Sequence, residues 1–155
     1  MENLLKGKKG IIFGALDNKS MAWKIAEKAY KQGAIFTLSN TPIALRFGEL
    51  NELAEKTKSE IIPADATKII DIENVFKKSM EVLGGQVDFV LHSIGMSLNV
   101  RKKVPYQDLN YEYYMKTLDI SAISFHKILK TAYQLDAVKE WGSIVALSYL
   151  SLIHI

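Results

Sequence analysis

Three short segments contain residues that could bind a phosphate group or assist a reaction. The first begins at Gly14 and includes Ser20 and Met21. Glycine permits a tight turn, serine can cap a helix, and the free amides at a helix N-terminus attract a pyrophosphate. The segment lacks the G-x-G-x-x-G pattern of the common dinucleotide fingerprint. Phosphate binding and a plain connection between a strand and a helix are therefore equally good interpretations.

The other two segments each follow an apolar run. His92-Ser93-Ile94-Gly95 ends in a glycine that would let a flat ring approach the backbone, although a turn glycine is the simpler interpretation. His92 could transfer a proton, but a single histidine beside a buried strand is more often a structural group. Ser148-Tyr149 offers a tyrosine that could donate a hydrogen bond to a substrate oxygen if a cation lies nearby. An amphipathic tyrosine at the rim of a sheet is an equally good interpretation.

Two further positions could contact the adenosine part of a dinucleotide. An Asp or Glu usually binds the ribose hydroxyls after the second strand, whereas this sequence has the uncharged segment Ser39-Asn40-Thr41-Pro42. Because no Lys or Arg stands there to meet a 2′-phosphate, the segment favours NADH over NADPH. Asp65 could accept a hydrogen bond from an adenine amino group, or it could cap the next turn.

Alternating strands and helices would position these residues. Short apolar runs predict strands at 10–13, 34–39, 61–62, 87–91 and 143–147, and helical periodicity predicts helices at 21–30, 45–58, 72–83 (capped by Asp71) and 111–132. Strands joined by helices pair in parallel, and near-continuous apolar strands indicate that both sheet faces are covered. We therefore expect an α/β fold, a doubly wound parallel sheet of strand order 3-2-1-4-5. Ligands bind such sheets where the winding reverses, here at the carboxyl ends of the first and fourth strands.

The composition limits the class of protein. The 155 residues include 20 Lys+Arg, 17 Asp+Glu and no cysteine, and 48% are hydrophobic. One domain with a buried core is expected, in a reducing cytoplasm and without disulfides, thiolate metal sites or a cysteine nucleophile. The three histidines are too scattered to predict a metal site. Scattered lysines predict no nucleic-acid partner, and no apolar run is long enough to span a membrane.

Taken together and in order, these segments resemble the bacterial NADH-dependent enoyl-[acyl-carrier-protein] reductases, a divergent branch of the short-chain dehydrogenases/reductases. The resemblance covers residues 4–150 and rests on Gly14-x5-Ser20-x-Ala22, Gly33-Ala34, Asp65-Ala66, His92-Ser93-Ile94-Gly95, Asp119-Ile120-Ser121 and Leu147-Ser148-Tyr149-Leu150. It implies a Rossmann-like fold and the reduction of a trans-2-enoyl thioester on acyl carrier protein during fatty-acid elongation. The hydride would come from NADH.

The resemblance also implies roles for individual residues. Contacts to NADH, from its pyrophosphate through the adenosine to the nicotinamide, are implied at Gly14, Ser20, Met21, Thr41, Asp65, Ala66, Ile94 and Gly95. Thr41 stands where the family commonly has Gln. Ser97 would contact the acyl substrate, and Tyr149 would match the first of two active-site tyrosines.

The sequence departs from the family after Leu150, where the family continues to a second tyrosine and a lysine. We therefore expect residues 1–150 to form a Rossmann-like domain truncated after the fifth strand, and 151–155 to be an off-pattern tail. The chain would be an inactive N-terminal portion of an enzyme that is a cytoplasmic homotetramer at full length. Another short-chain dehydrogenase/reductase, or a non-catalytic dinucleotide-binding regulator, remains an alternative.

Overall fold

Four parallel strands form the sheet in a computed structural model of the chain, which describes residues 3–46 and 49–148. The strands are β1 (Lys9–Phe13), β2 (Ile35–Ser39), β3 (Val87–His92) and β4 (Val138–Ala146), and their order is β2-β1-β3-β4. The parallel, doubly wound sheet is therefore confirmed. The predicted strand at 61–62 lies beside β2 as expected, but it is reduced to a single bridge between Ile61 and Leu38. Around this bridge the Ile62 amide donates to the Leu38 oxygen at 2.8 Å, and the Ala64 amide donates to the Asn40 oxygen at 3.0 Å.

Seven helices flank the sheet within the described residues. They are α1 (Met21–Lys31), α2 (Pro42–Leu45), α3 (Glu49–Thr57), α4 (Ile69–Leu83), α5 (Leu98–Arg101), α6 (Tyr111–Leu118) and α7 (Ser124–Gln134). A 3-10 turn (Tyr106–Asp108) precedes α6, and a π turn (Asp119–Ile123) joins α6 to α7. The single helix predicted over 111–132 is thus interrupted by the π turn. The helix predicted over 45–58 is wrong at its start, because Pro42 begins the separate helix α2.

Local signals set several helix ends as predicted. Ser20 caps α1, and its Oγ accepts the Trp23 amide at 3.4 Å. Gly84 ends α4 in the left-handed conformation, with φ +70°. The prediction that Asp71 caps α4 is wrong, because the helix begins earlier and Lys68 occupies the cap position. Asp71 lies in the first turn instead and accepts the Asp65 amide at 3.0 Å.

The hydrophobic core has two parts, one on each face of the sheet. Ile11 packs with residues of α4 and α7, whereas its neighbour Ile12 packs with residues of α1 and α3. Successive strand residues point to opposite faces, and both of these side chains are fully buried. The two covered faces explain why the strands are continuously apolar.

Strand β4 begins earlier than the sequence predicts and has an irregularity. Val138 pairs with Val87, and the next pair joins Ser143 to Phe89. The residues between them bulge out of the ladder, with Trp141 at φ +64° and 95% exposed. Across residues 3–46 and 49–148, no helix is both long and apolar enough to cross a membrane.

Candidate functional site

A cleft of about 650 Å³ lies at the carboxyl ends of β1, β2 and β3. Its lining includes Gly14, Asn40 and Ser93 from the strand ends, Asp65 from the loop before α4, and Asp119 from the π turn. The winding of the sheet reverses between β1 and β3, so the cleft lies where the sequence predicts a ligand site. The volume is within the usual range of small-molecule sites.

Gly14 is required where the ends of β1 and β3 pass each other. Its φ is +92°, and a Cβ at this position would lie 2.0 Å from the carbonyl oxygen of Ser93. The Gly14 amide donates to the Ser39 oxygen at 2.9 Å, and the Ser93 amide donates to the Phe13 oxygen at 3.1 Å. Three chain segments therefore meet at this glycine, which forms the floor of the cleft together with Phe13 and Ser93.

The N-terminus of α1 follows this turn. Ser20 Oγ accepts the Trp23 amide and also donates to the Asp17 oxygen at 2.8 Å, so the hydroxyl is already engaged. The other amides of the first turn have no acceptor within the helix, and the helix dipole makes this end electropositive. Leu16 lines the cleft, whereas Ser20 and Met21 do not, and Met21 is 60% exposed.

The segment after β2 forms one wall of the cleft and carries no charge. Asn40 Nδ2 donates to the Ala15 oxygen at 2.8 Å, and its Oδ1 accepts the Thr41 amide at 2.7 Å. Asn40 thereby ties the end of β2 to the turn after β1, a role that nothing in the sequence indicates. Thr41 lines the cleft and caps α2. The buried Ser39 hydroxyl, also in the lining, has no hydrogen-bond partner among residues 3–46 and 49–148.

Asp65 and Ala66 line the cleft from the loop before α4. Asp65 Oδ1 accepts the Thr67 amide at 3.0 Å and the Thr67 hydroxyl at 2.8 Å. Burial opposes ionisation of this carboxyl, but the bonds from Thr67 and the charges of Lys68 and Lys127 outweigh it and lower the pKa of Asp65. Asp65 is therefore an ionised hydrogen-bond acceptor at neutral pH. Its contact with Thr67 also matches the turn-capping alternative.

The loop after β3 contributes Ile94, Gly95 and Met96 to the lining. A Cβ on Gly95 would meet no atom of the described residues within 4 Å, so on their side the backbone there is open to a ligand. Ser97 does not line the cleft, and its hydroxyl caps α5 by accepting the Val100 amide at 3.4 Å.

His92 is a buried structural residue. Its Nε2 lies 2.8 Å from Ser124 Oγ, which itself donates to the Ile120 oxygen at 2.6 Å. The serine proton is thus engaged, so His92 Nε2 carries the hydrogen of their shared bond. Burial lowers the pKa of His92, and the side chain does not line the cleft. This geometry matches the structural interpretation of His92.

The structure brings together six of the eight residues expected to contact a cofactor: Gly14, Thr41, Asp65, Ala66, Ile94 and Gly95. Tyr149 and residues 151–155 lie outside the described residues. Asn40, from the uncharged segment after β2, also lines the cleft. Arg101 and Lys116 do so too, and sequence reasoning did not identify them. Asp119 belongs to a segment that carried the resemblance, but no role was assigned to it.

Comparison with known proteins gives consistent results. Residues 14–155 match a family described as enoyl-(acyl carrier protein) reductase. The chain is 33% identical over 151 residues to an NADH enoyl-[acyl-carrier-protein] reductase of Rhizobium meliloti, covering 96% of this chain and 54% of that protein. It is 35% identical over 149 residues to the FabI reductase of Rickettsia conorii, covering 94% and 55%.

Solved structures agree with the sequence comparison. The crystal structure of FabI from Alistipes finegoldii has a TM-score of 0.95 and 56% identity, covering 99% of this chain and 59% of that one. The FabI–NADH complex from the same organism has the same TM-score and identity, with coverages of 98% and 54%. The chain spans about half the length of the curated relatives it matches. Because the family match extends over most of its residues, the chain belongs to the enoyl-(acyl carrier protein) reductase family.

Proposed function

We propose that this chain is the NADH-binding, N-terminal portion of an enoyl-[acyl-carrier-protein] reductase. The observation that carries the proposal is the cleft at the carboxyl ends of the strands, in a chain 56% identical to a FabI crystallised with NADH. The substrate would be a trans-2-enoyl thioester on acyl carrier protein. A homotetramer at full length is part of the proposal. So is a bacterial cytoplasmic location, with which the absence of cysteine agrees.

The phosphate end of NADH is assigned to the start of α1. Gly14 and Ser20 keep the turn tight and cap the helix, and Met21 begins it. Free amides and the helix dipole favour a pyrophosphate at this end. Ser20 acts through the helix that it caps, because its own hydroxyl is already engaged.

The adenosine end is assigned to the loops after β2 and before α4. Thr41 is proposed as the ribose contact, and Asp65 with Ala66 as the adenine contact. The ionised Asp65 can accept a hydrogen bond from the adenine amino group, since its Oδ2 takes none from the described part of the chain. Ile94 and Gly95 are proposed to lie beside the nicotinamide, where the open backbone at Gly95 leaves room for a flat ring.

The reaction uses the remaining assigned residues. When bound, NADH supplies a hydride to Cβ of the enoyl group, and a proton is added at Cα. Ser97 is proposed as an acyl-substrate contact. Tyr149 is proposed to donate a hydrogen bond to the enolate oxygen, because a preorganised donor stabilises the charge that develops there.

NADH is expected to be preferred over NADPH. The residues that follow β2 in the cleft lining are Asn40, Thr41, Pro42, Ile43 and Ala44, and none has a charge to offer a 2′-phosphate. We expect kcat/KM to favour NADH by about tenfold, or about 1.4 kcal/mol. A ratio that favours NADPH would contradict the assignment of this wall.

The proposed function is tested by following NADH consumption by the full-length enzyme with crotonyl-[acyl-carrier-protein]. Ser20→Arg removes the cap of α1 and should raise the Kd for NADH, whereas Asn18→Arg adds the same cation to the same turn and should not. The 155-residue chain by itself should show no turnover. Oxidation of a hydroxyl substrate instead, or NADH binding without any turnover by the full-length protein, would reject the reductase in favour of one of its alternatives.

A further inference from the structure

The π turn between α6 and α7 lies against the cleft. The Ser124 amide reaches back to the Asp119 oxygen, five residues earlier, so the turn contains one residue more than a regular helix. Asp119 and Ile120 line the cleft. Single π turns inside helices occur frequently at functional sites. The side chains around this one contact two separate loops of the cleft.

Ser121 holds the loop after β3. Its Oγ accepts the Met96 amide at 3.1 Å and donates to the Met96 oxygen at 3.3 Å, so both main-chain groups of Met96 are bound by one side chain. The start of the same loop is held by the bond from Ser93 to Phe13. Ile94 and Gly95 lie between these two attachments and line the cleft, whereas Ser121 itself does not. The hydroxyl therefore sets the position of the loop without reaching the cleft.

Lys127, on α7, holds the loop before α4. Its Nζ donates to the Thr67 oxygen at 2.7 Å and pairs with Asp119 Oδ1 at 2.8 Å. The lysine side chain is only 21% exposed, so this pair is less screened than an ordinary surface ion pair. Thr67 in turn donates both of its hydrogen bonds to Asp65. A continuous set of polar contacts thus runs from the π turn to Asp65.

We propose that the π turn positions the two ends of the cofactor separately. Ser121 sets the loop that carries Ile94 and Gly95, and Lys127 with Asp119 sets the loop that carries Asp65. The inference rests on the proposed function, because that function assigns these loops to the nicotinamide and the adenine. Ser121 and Lys127 are positioning residues and have no direct contact with the cofactor.

The two roles can be separated by comparing NADH with ADP-ribose, which lacks the nicotinamide. Calorimetry on the full-length enzyme would give a Kd for each ligand. Ser121→Ala should raise the Kd for NADH roughly threefold to tenfold, the usual effect of a lost hydrogen bond. The Kd for ADP-ribose should not change. Lys127→Met should raise the Kd of both ligands by similar factors, because both contain the adenine. Ser121→Thr keeps the hydroxyl and should restore NADH binding.

Thr117→Val is the matched control. It removes a hydroxyl of α6 that donates only to the Tyr113 oxygen of the same helix, at 2.8 Å, so neither Kd should change. If Ser121→Ala fails to fold, Ser121→Cys keeps the volume with a weaker donor and allows the same comparison. Equal loss of both ligands in the Ser121 variant, or no loss of either, would overturn the proposal. Failure of the unchanged enzyme to bind either ligand would reject the proposed function instead.

Discussion

Gly14 is the residue at which one added methyl group is expected to do most damage. Gly14→Ala would place Cβ 2.0 Å from the Ser93 oxygen, at a φ of +92° that residues other than glycine rarely adopt. We expect a loss of about 3 kcal/mol in the free energy of unfolding, measured by urea denaturation, from steric overlap and backbone strain together.

Gly95→Ala is the control for this prediction. The added methyl group meets no atom within 4 Å among residues 3–46 and 49–148, and it should leave the free energy of unfolding unchanged. It should nevertheless raise the Kd for NADH if the nicotinamide lies there. Equal stability of the two glycine variants would contradict the close approach of β1 and β3.

His92 gives the protein a stability that depends on pH. Burial lowers its pKa from 6.5, so the unfolded chain binds this proton more readily than the folded one. Its contribution is therefore complete above pH 6.5 and is lost as the pH falls below that value. Urea denaturation at about pH 7.5 and about pH 5.5 should show this loss.

The comparison that assigns the loss to His92 uses one variant. His92→Gln should reduce the difference in the free energy of unfolding between the two pH values. Asp65 and Asp88, whose pKa values are lowered, titrate below this range and do not contribute. An unaltered pH difference in His92→Gln would show that another group is responsible.

At the scale of elements, Asp88 joins three strands near their amino ends, on the side of the sheet opposite the cleft. Its oxygens accept the Lys9 amide at 2.9 Å and pair with Lys8 at 3.1 Å and with Lys139 at 3.0 Å. Burial opposes ionisation, but the Lys9 amide and the two ammonium groups outweigh it and hold the pKa of Asp88 at about 2. The contacts join residues of β1, β3 and β4, together with Lys8 just before β1.

Asp88→Asn should lower the free energy of unfolding by about 2 kcal/mol at neutral pH, since each pKa unit is worth about 1.4 kcal/mol. A lowered carboxyl pKa stabilises the fold above the unfolded value of 3.8, and that stabilisation disappears as the pH falls towards about 2. The two proteins should therefore converge in acid. Glu73→Gln, which breaks an exposed pair with Lys77 on α4, should cost no more than about 0.5 kcal/mol. Similar losses in the two variants would contradict the role of Asp88.

At the scale of the molecule, β4 is one of the two outer strands of the sheet within residues 3–46 and 49–148. One edge of it pairs with β3, and Trp141 and Val145 are exposed. An open strand edge with apolar side chains is a surface for association between chains. We expect the 155-residue chain to elute as oligomers or aggregates in size exclusion.

Trp141→Lys should shift this elution towards the monomer, because a charge on an edge strand opposes edge-to-edge pairing. Tyr106→Lys, an equally drastic change at an exposed residue before α6, should leave the elution unchanged. A monomeric chain without any substitution would contradict the prediction.

The sequence by itself determined the order of the elements, the parallel sheet and the edge at which the cleft forms. These properties depend on local patterns: apolar runs mark the strands, helical spacing requires crossovers, and Gly14 and Gly33 mark the turns. The positions proposed for the cofactor at Asp65 and Gly95 follow from the same reasoning together with the family resemblance, because each lies in a loop that follows a predicted strand.

Only the tertiary structure decided which distant residues support those positions. Asn40 reaches Ala15, Ser121 reaches Met96 and Lys127 reaches Thr67, and no local pattern marks any of these pairs. The bounds of β4 were decided in the same way. The residues that follow Val138 are too polar to predict a strand, but Val138 pairs with Val87 and β4 begins there. The physical reason is that a hydrogen bond between distant segments requires both backbones to be already in place, and their positions depend on the packing of the whole sheet.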